Sequence, residues 1–523
     1  MDMFIKLAFL VVFFGVMVGI GLYCRKHTTD VNGFVLGGRA VGPWLTAFAY
    51  GTSYFSAVVF VGYAGQFGWK YGIAATWAGI GNALLGSLLA WVVLGRRTRV
   101  MTQHLDSATM PQFFENRFQS RSLKLAASAI IFIFLIPYTA SLYNGLSRLF
   151  GMAFHVDYAV CVIAMAVLTG VYVIAGGYMA TAINDFIQGI IMIVGIIAVV
   201  GAVIKSQGGF LAALDGLARV SDPTVSDTPG VFASFFGPDP VGLLGVVLLT
   251  SLGTWGLPQM VQKFYAIRSE KAIDKGTIIS TVFAAIVAGG CYFLGGFGRL
   301  FSDQVDVAAN GYDSIVPTML EGLSTVLIAV VVILVLSASM STLSSLVLAS
   351  SSTLTLDFIK DTIVKDMDEK RQILTMRLLI VVFIAISVVL AIVQYRSNVT
   401  FIAQLMGVSW GALAGAFLAP FLYGLYWKKT TRGACWVSFL FSTVVMLANI
   451  FFGKYFPTLL QSPINAGAFC MLAGLIIVPV VSLVTPRLPQ GQIDRIFACY
   501  DRKVVVSVKD SIGDHTNPKE ETP

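Results

Sequence analysis

Charged residues are scarce in this chain of 523 residues, of which only 12% are Asp, Glu, Lys or Arg. Soluble proteins carry about 25% charged residues, so this chain has too few to cover a globule of its size. Hydrophobic residues make up 57% of the sequence. Both figures argue against a soluble enzyme, a disordered chain and a nucleic-acid-binding protein. The net charge of +8 fits basic loops between apolar runs, which are typical of membrane proteins.

Cysteine and histidine are also few and never clustered. The six cysteines stand singly without a CxxC pair, and the four histidines fall in loops or in the C-terminal tail. Zinc sites and disulfide frameworks need such residues at close spacing. A membrane-embedded enzyme would need paired acids, a histidine cluster or a nucleophile beside a base. We therefore expect no enzyme activity and no cofactor.

A phosphate-binding P-loop, GxxxxGK[ST], is missing from the sequence. No polar segment is long enough to form an ATPase domain either. If the protein moves a solute uphill, the energy is therefore expected to come from an ion gradient.

Long apolar runs dominate what is present. A helix needs about 20 mostly apolar residues to cross a hydrocarbon core roughly 30 Å thick. Enough runs meet this requirement to predict an all-α integral membrane protein with about 13 transmembrane helices. They lie near residues 4–24, 43–68, 73–95, 123–151, 157–175, 182–204, 241–261, 276–298, 322–352, 373–395, 399–427, 432–452 and 463–485.

Lys and Arg are distributed unevenly between alternate loops. With these runs as spans, 27 of the 35 fall on one side, among them Lys263 in the loop after span seven. Basic loops stay in the cytoplasm. The pattern predicts a multi-pass protein of the plasma (inner) membrane with its N-terminus outside and its C-terminus in the cytoplasm. Residues 1–485 then form one transmembrane domain, and 486–523 form a cytoplasmic tail.

Spans two and seven contain helix-breaking residues near their middles, GTSYFS at 51–56 and GTWGLP at 253–258. Glycine and proline break the helical hydrogen-bond ladder, which a membrane tolerates only beside protein or a water-filled cavity. Matching breaks in two halves mark transporter binding sites. We therefore predict a five-plus-five core of inverted repeats, at about 43–204 and 241–427. The alternative is that these glycines only allow helices to pack closely.

Span nine carries hydroxyl groups on one face. Ser341, Ser344 and Ser345 are spaced i, i+3 and i+4, with Ala338 one turn earlier and Thr342 adjacent. Hard cations such as Na⁺ prefer several oxygen ligands. Hydroxyls here, together with carbonyls freed at a helix break, could supply them. The alternative is that the serines only ease packing and bond to their own helix.

Asp185 stands at the start of span six, in the pair Asn184-Asp185. An ionisable group near the membrane interior is costly and is therefore a functional candidate. It could instead be an interfacial residue at a helix N-terminus, where a carboxylate is favoured.

Four short segments together resemble the sodium/solute symporter family, which includes bacterial sodium/proline and sodium/pantothenate symporters. They are LGGR at 36–39, YVIAGG at 172–177, Asn184-Asp185 and STLS at 341–344. The resemblance extends from span one to span thirteen. At Tyr178 the family usually has Leu, Met or Phe.

The resemblance implies roles for particular residues. A main sodium site would take backbone carbonyls and hydroxyls from Thr52, Phe55, Ala338, Ser341 and Thr342. A second sodium site of some members maps onto Ser56, Asp185, Ser344 and Ser345. The substrate cavity beside the two breaks would be lined by Ser56, Ala57, Tyr138, Thr254, Trp255 and Gln259. None of these mid-membrane candidates is Lys or Arg, so a carboxylate substrate would be held by half-helix N-termini.

The activity implied by the resemblance is sodium-coupled import of a small organic solute by alternating access. Proline, pantothenate or another small carboxylate would be the solute. Where the sodium/proline members have aromatic residues in span seven, this chain has Thr250 and Thr254, which argues against assuming proline. The expected partners are Na⁺, the solute and the lipid bilayer, with no nucleic acid and no partner protein. Two alternatives stay open: proton coupling through Asp185, and a transporter-like membrane sensor.

Overall fold

The protein is a bundle of α-helices in a computed structural model that describes residues 2–25, 30–154, 156–307, 311–364, 366–397 and 402–500. These residues form no β-strand. The helices are α1 Asp2–Cys24, α2 Val31–Leu36, α3 Pro43–Thr52, α4 Ala64–Tyr71, α5 Thr76–Gly81, α6 Arg96–His104, α7 Met110–Phe118, α8 Arg121–Phe154, α9 Tyr158–Ser206, α10 Phe210–Ala218, α11 Pro240–Gly256, α12 Pro258–Ala266, α13 Glu270–Gly295, α14 Ile315–Glu321, α15 Thr325–Thr353, α16 Glu369–Ser397, α17 Ile402–Tyr426, α18 Arg432–Phe452, α19 Pro463–Val484 and α20 Gln490–Phe497. π-Helical segments precede α4, connect α5 to α6 and follow α15.

Ten helical runs in the described residues are long and apolar enough to cross a membrane. The pair α11 and α12 adds an eleventh as one span bent by 46°. The all-α membrane fold expected from composition and apolar runs is thereby confirmed.

Two of these runs are too long for a single crossing. Residues 58–104 and 158–206 contain 47 and 49 residues, so each would extend roughly 70 Å as a straight helix. Each is broken by a glycine with positive φ, Gly72 (φ 63°) and Gly177 (φ 53°). A Cβ at Gly177 would lie 2.8 Å from the carbonyl oxygen of Phe34, so only glycine fits there. Division at these two points would give 13 spans, but that number and the inverted repeat stay predictions.

The break predicted in span two lies between α3 and the helical segment that begins at Val58. Ser53 bonds back to the Ala49 carbonyl, and the N–H groups of Tyr54 and Phe55 both bond to the Gly51 carbonyl. The next backbone bonds run from Val59 and Phe60 to the carbonyl of Ser56, which leaves the carbonyls of residues 52–55 without a backbone donor among the described residues. The ladder is therefore interrupted between Thr52 and Ser56. Carbonyls in this stretch are available to partners other than their own helix.

At the second break, the structure differs from the predicted end of span seven. Span seven was expected to end at 261, with Lys263 in a basic loop, but α12 continues beyond the bend at Leu257 and buries Lys263. After the bend the helix packs against α2, α3, α6 and α15 instead of leaving the bundle. Hydropathy alone assigns a lysine to solvent, because it cannot show that a short helix turns back into the protein.

The LGGR segment fixes the end of α12. Gly37, Gly38 and Arg39 have φ values of 59°, 69° and 57°, a left-handed turn that glycine permits at little cost. This turn lets the Arg39 guanidinium donate to the carbonyl oxygens of Tyr265 (3.3 Å) and Ser107 (2.7 Å). The C-terminal end of α12 is thereby held against the segments around α2 and α7.

Helices α4 and α13 cross at glycines. A Cβ added at Gly68 would lie 1.8 Å from the carbonyl oxygen of Gly295, and one added at Gly295 would lie 2.0 Å from that of Ala64. The two backbones are in direct contact, which only residues without a Cβ allow.

Part of the segment expected to be a cytoplasmic tail is helical. Helix α20 buries Ile496 and Phe497 and pairs Asp494 with Lys428 at 3.1 Å. Residues 501–523 lie outside the described residues. The side of the membrane on which this segment lies stays a prediction.

Candidate functional site

Four oxygen atoms converge where the interrupted span two meets α15. The Ser341 hydroxyl donates to the carbonyl oxygens of Thr52 (3.0 Å) and Ala338 (3.1 Å). The Thr342 hydroxyl lies 3.1 Å and 3.0 Å from the same two carbonyl oxygens. All four residues are buried. We call this group the oxygen cluster; it contains four of the five residues assigned to a main sodium site.

The fifth residue, Phe55, lies in the same unwound stretch, three residues after Thr52, and its ring packs against that of Tyr54 (centroids 4.3 Å apart). The carbonyl of Phe55, like that of Thr52, is outside the helical hydrogen-bond ladder and could therefore bind an ion. Its place among the ligands stays a prediction.

A second polar group lies beside the oxygen cluster and contains two residues, Lys263 and Ser53, that are not among the candidates from the sequence. The Lys263 ammonium donates to the Ser345 hydroxyl at 3.0 Å and stands 3.9 Å from a carboxylate oxygen of Asp185. The Ser345 hydroxyl also bonds to that of Ser53 at 2.7 Å. We call Asp185, Lys263, Ser345 and Ser53 the charged group. Its members are all buried.

The other two residues assigned to a second sodium site have other partners. The Ser344 hydroxyl donates to the carbonyl of Ser341, one turn earlier in α15 (2.9 Å). The Ser56 hydroxyl accepts the backbone N–H of Val58 (3.2 Å), which caps the helix after the break. Although none of the mid-membrane candidates is Lys or Arg, Lys263, which was expected in a loop, reaches the acid and one of the serines.

An aromatic cluster lies next to the unwound stretch. The rings of Tyr54 and Tyr138 flank Trp410 of α17, with centroid distances of 5.6 Å and 5.9 Å. Trp410 in turn packs on Gly253 of α11, where an added Cβ would lie 2.5 Å from the indole. The two tyrosine hydroxyls and the indole N–H have no hydrogen-bond partner among the described residues. Buried groups of this kind are costly unless a ligand or water completes them.

Gln259 is also a buried polar residue without hydrogen-bond partners within the described ranges, as expected of a side chain that binds a solute. It lies in the first turn of α12 and is 1% exposed. Neither its amide oxygen nor its amide nitrogen has a hydrogen-bond partner in the described part of the chain. It therefore has both a donor and an acceptor available to a solute.

Three other cavity candidates have structural partners. The Thr254 hydroxyl donates to the carbonyl of Gly86 (2.9 Å), and the Trp255 indole N–H donates to that of Leu85 (2.9 Å). These bonds join α11 to the helical segment after α5. The Ala57 methyl group faces Gly145 of α8. We therefore expect Tyr138 and Gln259, rather than these three, to contact a solute directly.

The site residues are closed off in this conformation. Thr52, Ser341 and Asp185 have no exposed surface, and Tyr138 and Gln259 are at most 1% exposed. An ion or solute could reach them only after the surrounding groups move.

A separate groove of about 620 Å³ opens on the outer surface between α1, α9 and α15. Its lining is apolar and includes Val12, Phe13, Ile187, Ile191 and Ile333. It offers no oxygen ligands for a cation, and it lies on a face that a bilayer would cover. The polar groups at the two helix breaks are therefore the better candidate site.

Three functional candidates escaped sequence analysis. Ser53 is part of the GTSYFS pattern and could have been chosen from it. Lys263 follows the apolar run of span seven, and because lysine is polar it was predicted to lie in a loop. Trp410 lies in a span without a break, between Gly407 and Gly411, and no pattern in the sequence marks it.

A multi-pass helical bundle with two broken helices, hydroxyl and carbonyl oxygens at one break and unpaired polar groups beside them is the architecture of a secondary transporter. The comparison with known sequences is more specific. A profile of the sodium:solute symporter family matches residues 34–441, most of the chain. The chain therefore belongs to the sodium:solute symporter family and is a transporter, not an enzyme.

Similar proteins of known name are transporters as well. The osmoregulated proline transporter OpuE of Bacillus subtilis (strain 168) is 28% identical over 480 residues, which cover 91% of this chain and 94% of that protein. A sodium/proline symporter of Staphylococcus aureus (strain JH9) is 27% identical over 489 residues, 91% of either chain.

Solved structures show the same fold. A Na⁺-coupled sialic acid symporter, solved in a substrate-bound outward-open state, superimposes with a TM-score of 0.72 at 17% identity. The match covers 93% of this chain and 99% of that one. At this level of identity the likeness shows the fold alone.

Proposed function

We propose that the protein imports a small organic solute together with Na⁺ across the plasma membrane, with its N-terminus outside and its C-terminus in the cytoplasm. The observation that carries this proposal is the oxygen cluster, where two hydroxyls each lie within 3.0–3.1 Å of the same two carbonyl oxygens at a helix break. Oxygens of this type suit a hard monovalent cation. The location of the cluster between α3 and α15 lets an ion hold two separate helices together.

In this mechanism, Na⁺ enters from outside and takes oxygens of Thr52, Phe55, Ala338, Ser341 and Thr342 as ligands. Binding orders the unwound stretch that carries Tyr54, next to the aromatic cluster. The solute then binds between Tyr138 and Gln259 more tightly than it would without the ion. Such coupling is reciprocal, of order 1–3 kcal/mol. The two inverted repeats, 43–204 and 241–427, rock against each other to release both to the cytoplasm.

The solute is proposed to be proline or another small carboxylate. Two similar proteins bear the name of proline transporters. A carboxylate could be oriented by the positive end of α12 and by the amide of Gln259 in its first turn. Because Thr254 stands where an aromatic residue is expected for proline, pantothenate and other small carboxylates belong among the candidates.

Uptake by purified protein in proteoliposomes tests this function. We expect labelled proline, pantothenate or another small carboxylate to accumulate when an inward sodium gradient is imposed at constant pH. Replacement of external Na⁺ by choline should abolish the accumulation. Accumulation that follows a pH gradient and ignores sodium would favour a proton-coupled transporter, for which the buried acid Asp185 is the specific observation.

Tyr138→Phe should raise the solute concentration needed for half-maximal uptake by up to roughly tenfold, because one hydrogen bond contributes about 0.5–1.5 kcal/mol. The sodium dependence should be unchanged. Tyr143→Phe is the matched control, since Tyr143 is buried in the same helix and its hydroxyl has no partner among the described residues. Equal effects of the two substitutions would exclude a specific role of Tyr138 in solute binding.

A further inference from the structure

Lys263 stands where a cation would be expected in the charged group. Its ammonium nitrogen lies 3.0 Å from the Ser345 hydroxyl and 3.9 Å from Asp185. It also lies 5.0 Å from the centre of the Tyr178 ring, a cation–π geometry. The side chains of Lys263 and Asp185 are only 3% and 0% exposed. A basic side chain is therefore held in the interior at the residues assigned to a second sodium ion.

Asp185 has no other source of charge compensation in the described part of the chain. Neither of its carboxylate oxygens has a hydrogen-bond partner there, and Lys263 is the one basic side chain within 4 Å. A buried carboxylate needs a counter-charge when it is ionised. Either a free cation or the ammonium can supply it, and both would need the same place between Asp185 and Ser345.

The backbone around Lys263 keeps the ammonium in this place. Two residues further on, the carbonyl of Tyr265 accepts from Arg39. The next carbonyl, that of Ala266, accepts the backbone N–H of Val41 at 3.1 Å. The lysine thus extends from a short helix whose C-terminal end is fixed by these hydrogen bonds. A free ion leaves the site in each cycle, whereas this ammonium is covalently attached.

We propose that Lys263 is a built-in substitute for a second sodium ion, so that the protein binds Na⁺ at the oxygen cluster alone. The inference rests on the proposed sodium-coupled function. Its consequence is one Na⁺ per solute. The ammonium links α12 to α9 through Asp185 and to α15 through Ser345, and it does so whether or not an ion is present.

Equilibrium binding of ²²Na⁺ to the purified full-length protein, without any solute, tests the proposal. We expect one sodium ion per chain in the wild type. Lys263→Met keeps an unbranched side chain of similar length and removes the charge, which leaves Asp185 and Ser345 open to an ion; this variant should bind one more sodium than the wild type. Its melting temperature should also become more dependent on Na⁺, measured against N-methylglucamine.

The paired variant Lys263→Met/Asp185→Asn serves as the matched control. It removes both charges, leaves no unpaired charge in the interior and should fold even where the single variant does not. We expect it to bind the same number of sodium ions as the wild type, because Asp185 holds no ion in the native protein. Loss of one sodium ion in the paired variant would show that Asp185 binds Na⁺ in the wild type and would overturn the proposal.

Folded Lys263→Met with an unchanged sodium count would overturn the proposal as well, and so would a wild type that binds two ions. A different result is expected if the oxygen cluster is not the sodium site. If Ser341→Ala/Thr342→Ala still binds the wild-type number of ions, the oxygen cluster is not the sodium site. A gain of one ion in Lys263→Met would support the role of Lys263 even then.

Discussion

Ser341→Ala/Thr342→Ala should raise the sodium concentration needed for half-maximal uptake on the order of 100-fold or more. Each hydroxyl contributes an oxygen to the cluster with Thr52 and Ala338. A hydrogen-bonding group on a charged partner contributes about 1.5–3 kcal/mol, and tenfold corresponds to about 1.4 kcal/mol. The measurement is the sodium dependence of solute uptake in proteoliposomes, at fixed membrane potential and pH.

Ser351→Ala is the matched control for this variant. Ser351 is also buried in α15, but its hydroxyl donates only to the carbonyl of Leu348 in its own helix, at 3.2 Å. We expect its sodium dependence to match the wild type. If the double variant is folded and keeps wild-type sodium dependence, the coupling ion does not bind at the oxygen cluster.

Gly295→Ala should destabilise the folded transporter by at least about 2–3 kcal/mol. The new methyl group would lie 2.0 Å from the carbonyl oxygen of Ala64, so α4 and α13 would have to separate. Insertion of atoms into a packed core typically costs about 1–3 kcal/mol, and more where backbone must move. The measurement is thermal unfolding of the protein in detergent, together with the yield of monodisperse protein.

Gly289→Ala isolates the steric cause. Gly289 is in the same helix, and a Cβ there would meet no atom within 4 Å. Alanine also favours a helix over glycine by about 1 kcal/mol, so this variant should be as stable as the wild type or slightly more so. Equal losses in both variants would mean that the crossing at Gly295 has no special role.

Sequence was sufficient to locate the helix breaks and one half of the candidate site. Residues that disrupt a helix are local signals, so the stretch after Thr52 and the bend at Leu257 could be identified without knowledge of the fold. The face formed by Ser341 and Thr342 follows from helical spacing alone. That these hydroxyls meet the Thr52 carbonyl depends on the resemblance, because spacing says nothing about which helices are neighbours.

The charged group shows what local patterns cannot reveal. Lys263 is separated from Asp185 by 78 positions and from Ser345 by 82, and its polarity placed it in a loop. Its burial results from the bend at Leu257 and from the attachment of the end of α12 to Arg39. Trp410 presents the same difficulty, since Trp410, Tyr54 and Tyr138 lie in three separate segments of the chain.

In the proposed mechanism, the hydroxyls of Ser341 and Thr342 also matter when no ion is bound. Transport in repeated turnovers requires the protein to return empty, and bare oxygens crowded at one point would repel one another or draw in water. Here both hydroxyls lie within hydrogen-bond distance of the carbonyls of Thr52 and Ala338. Since a hydroxyl rotates freely, the same atoms can turn their lone pairs toward an arriving ion. In the proposed mechanism, a rotation of two O–H bonds would let one set of residues serve both the crossing with the ion bound and the return without it.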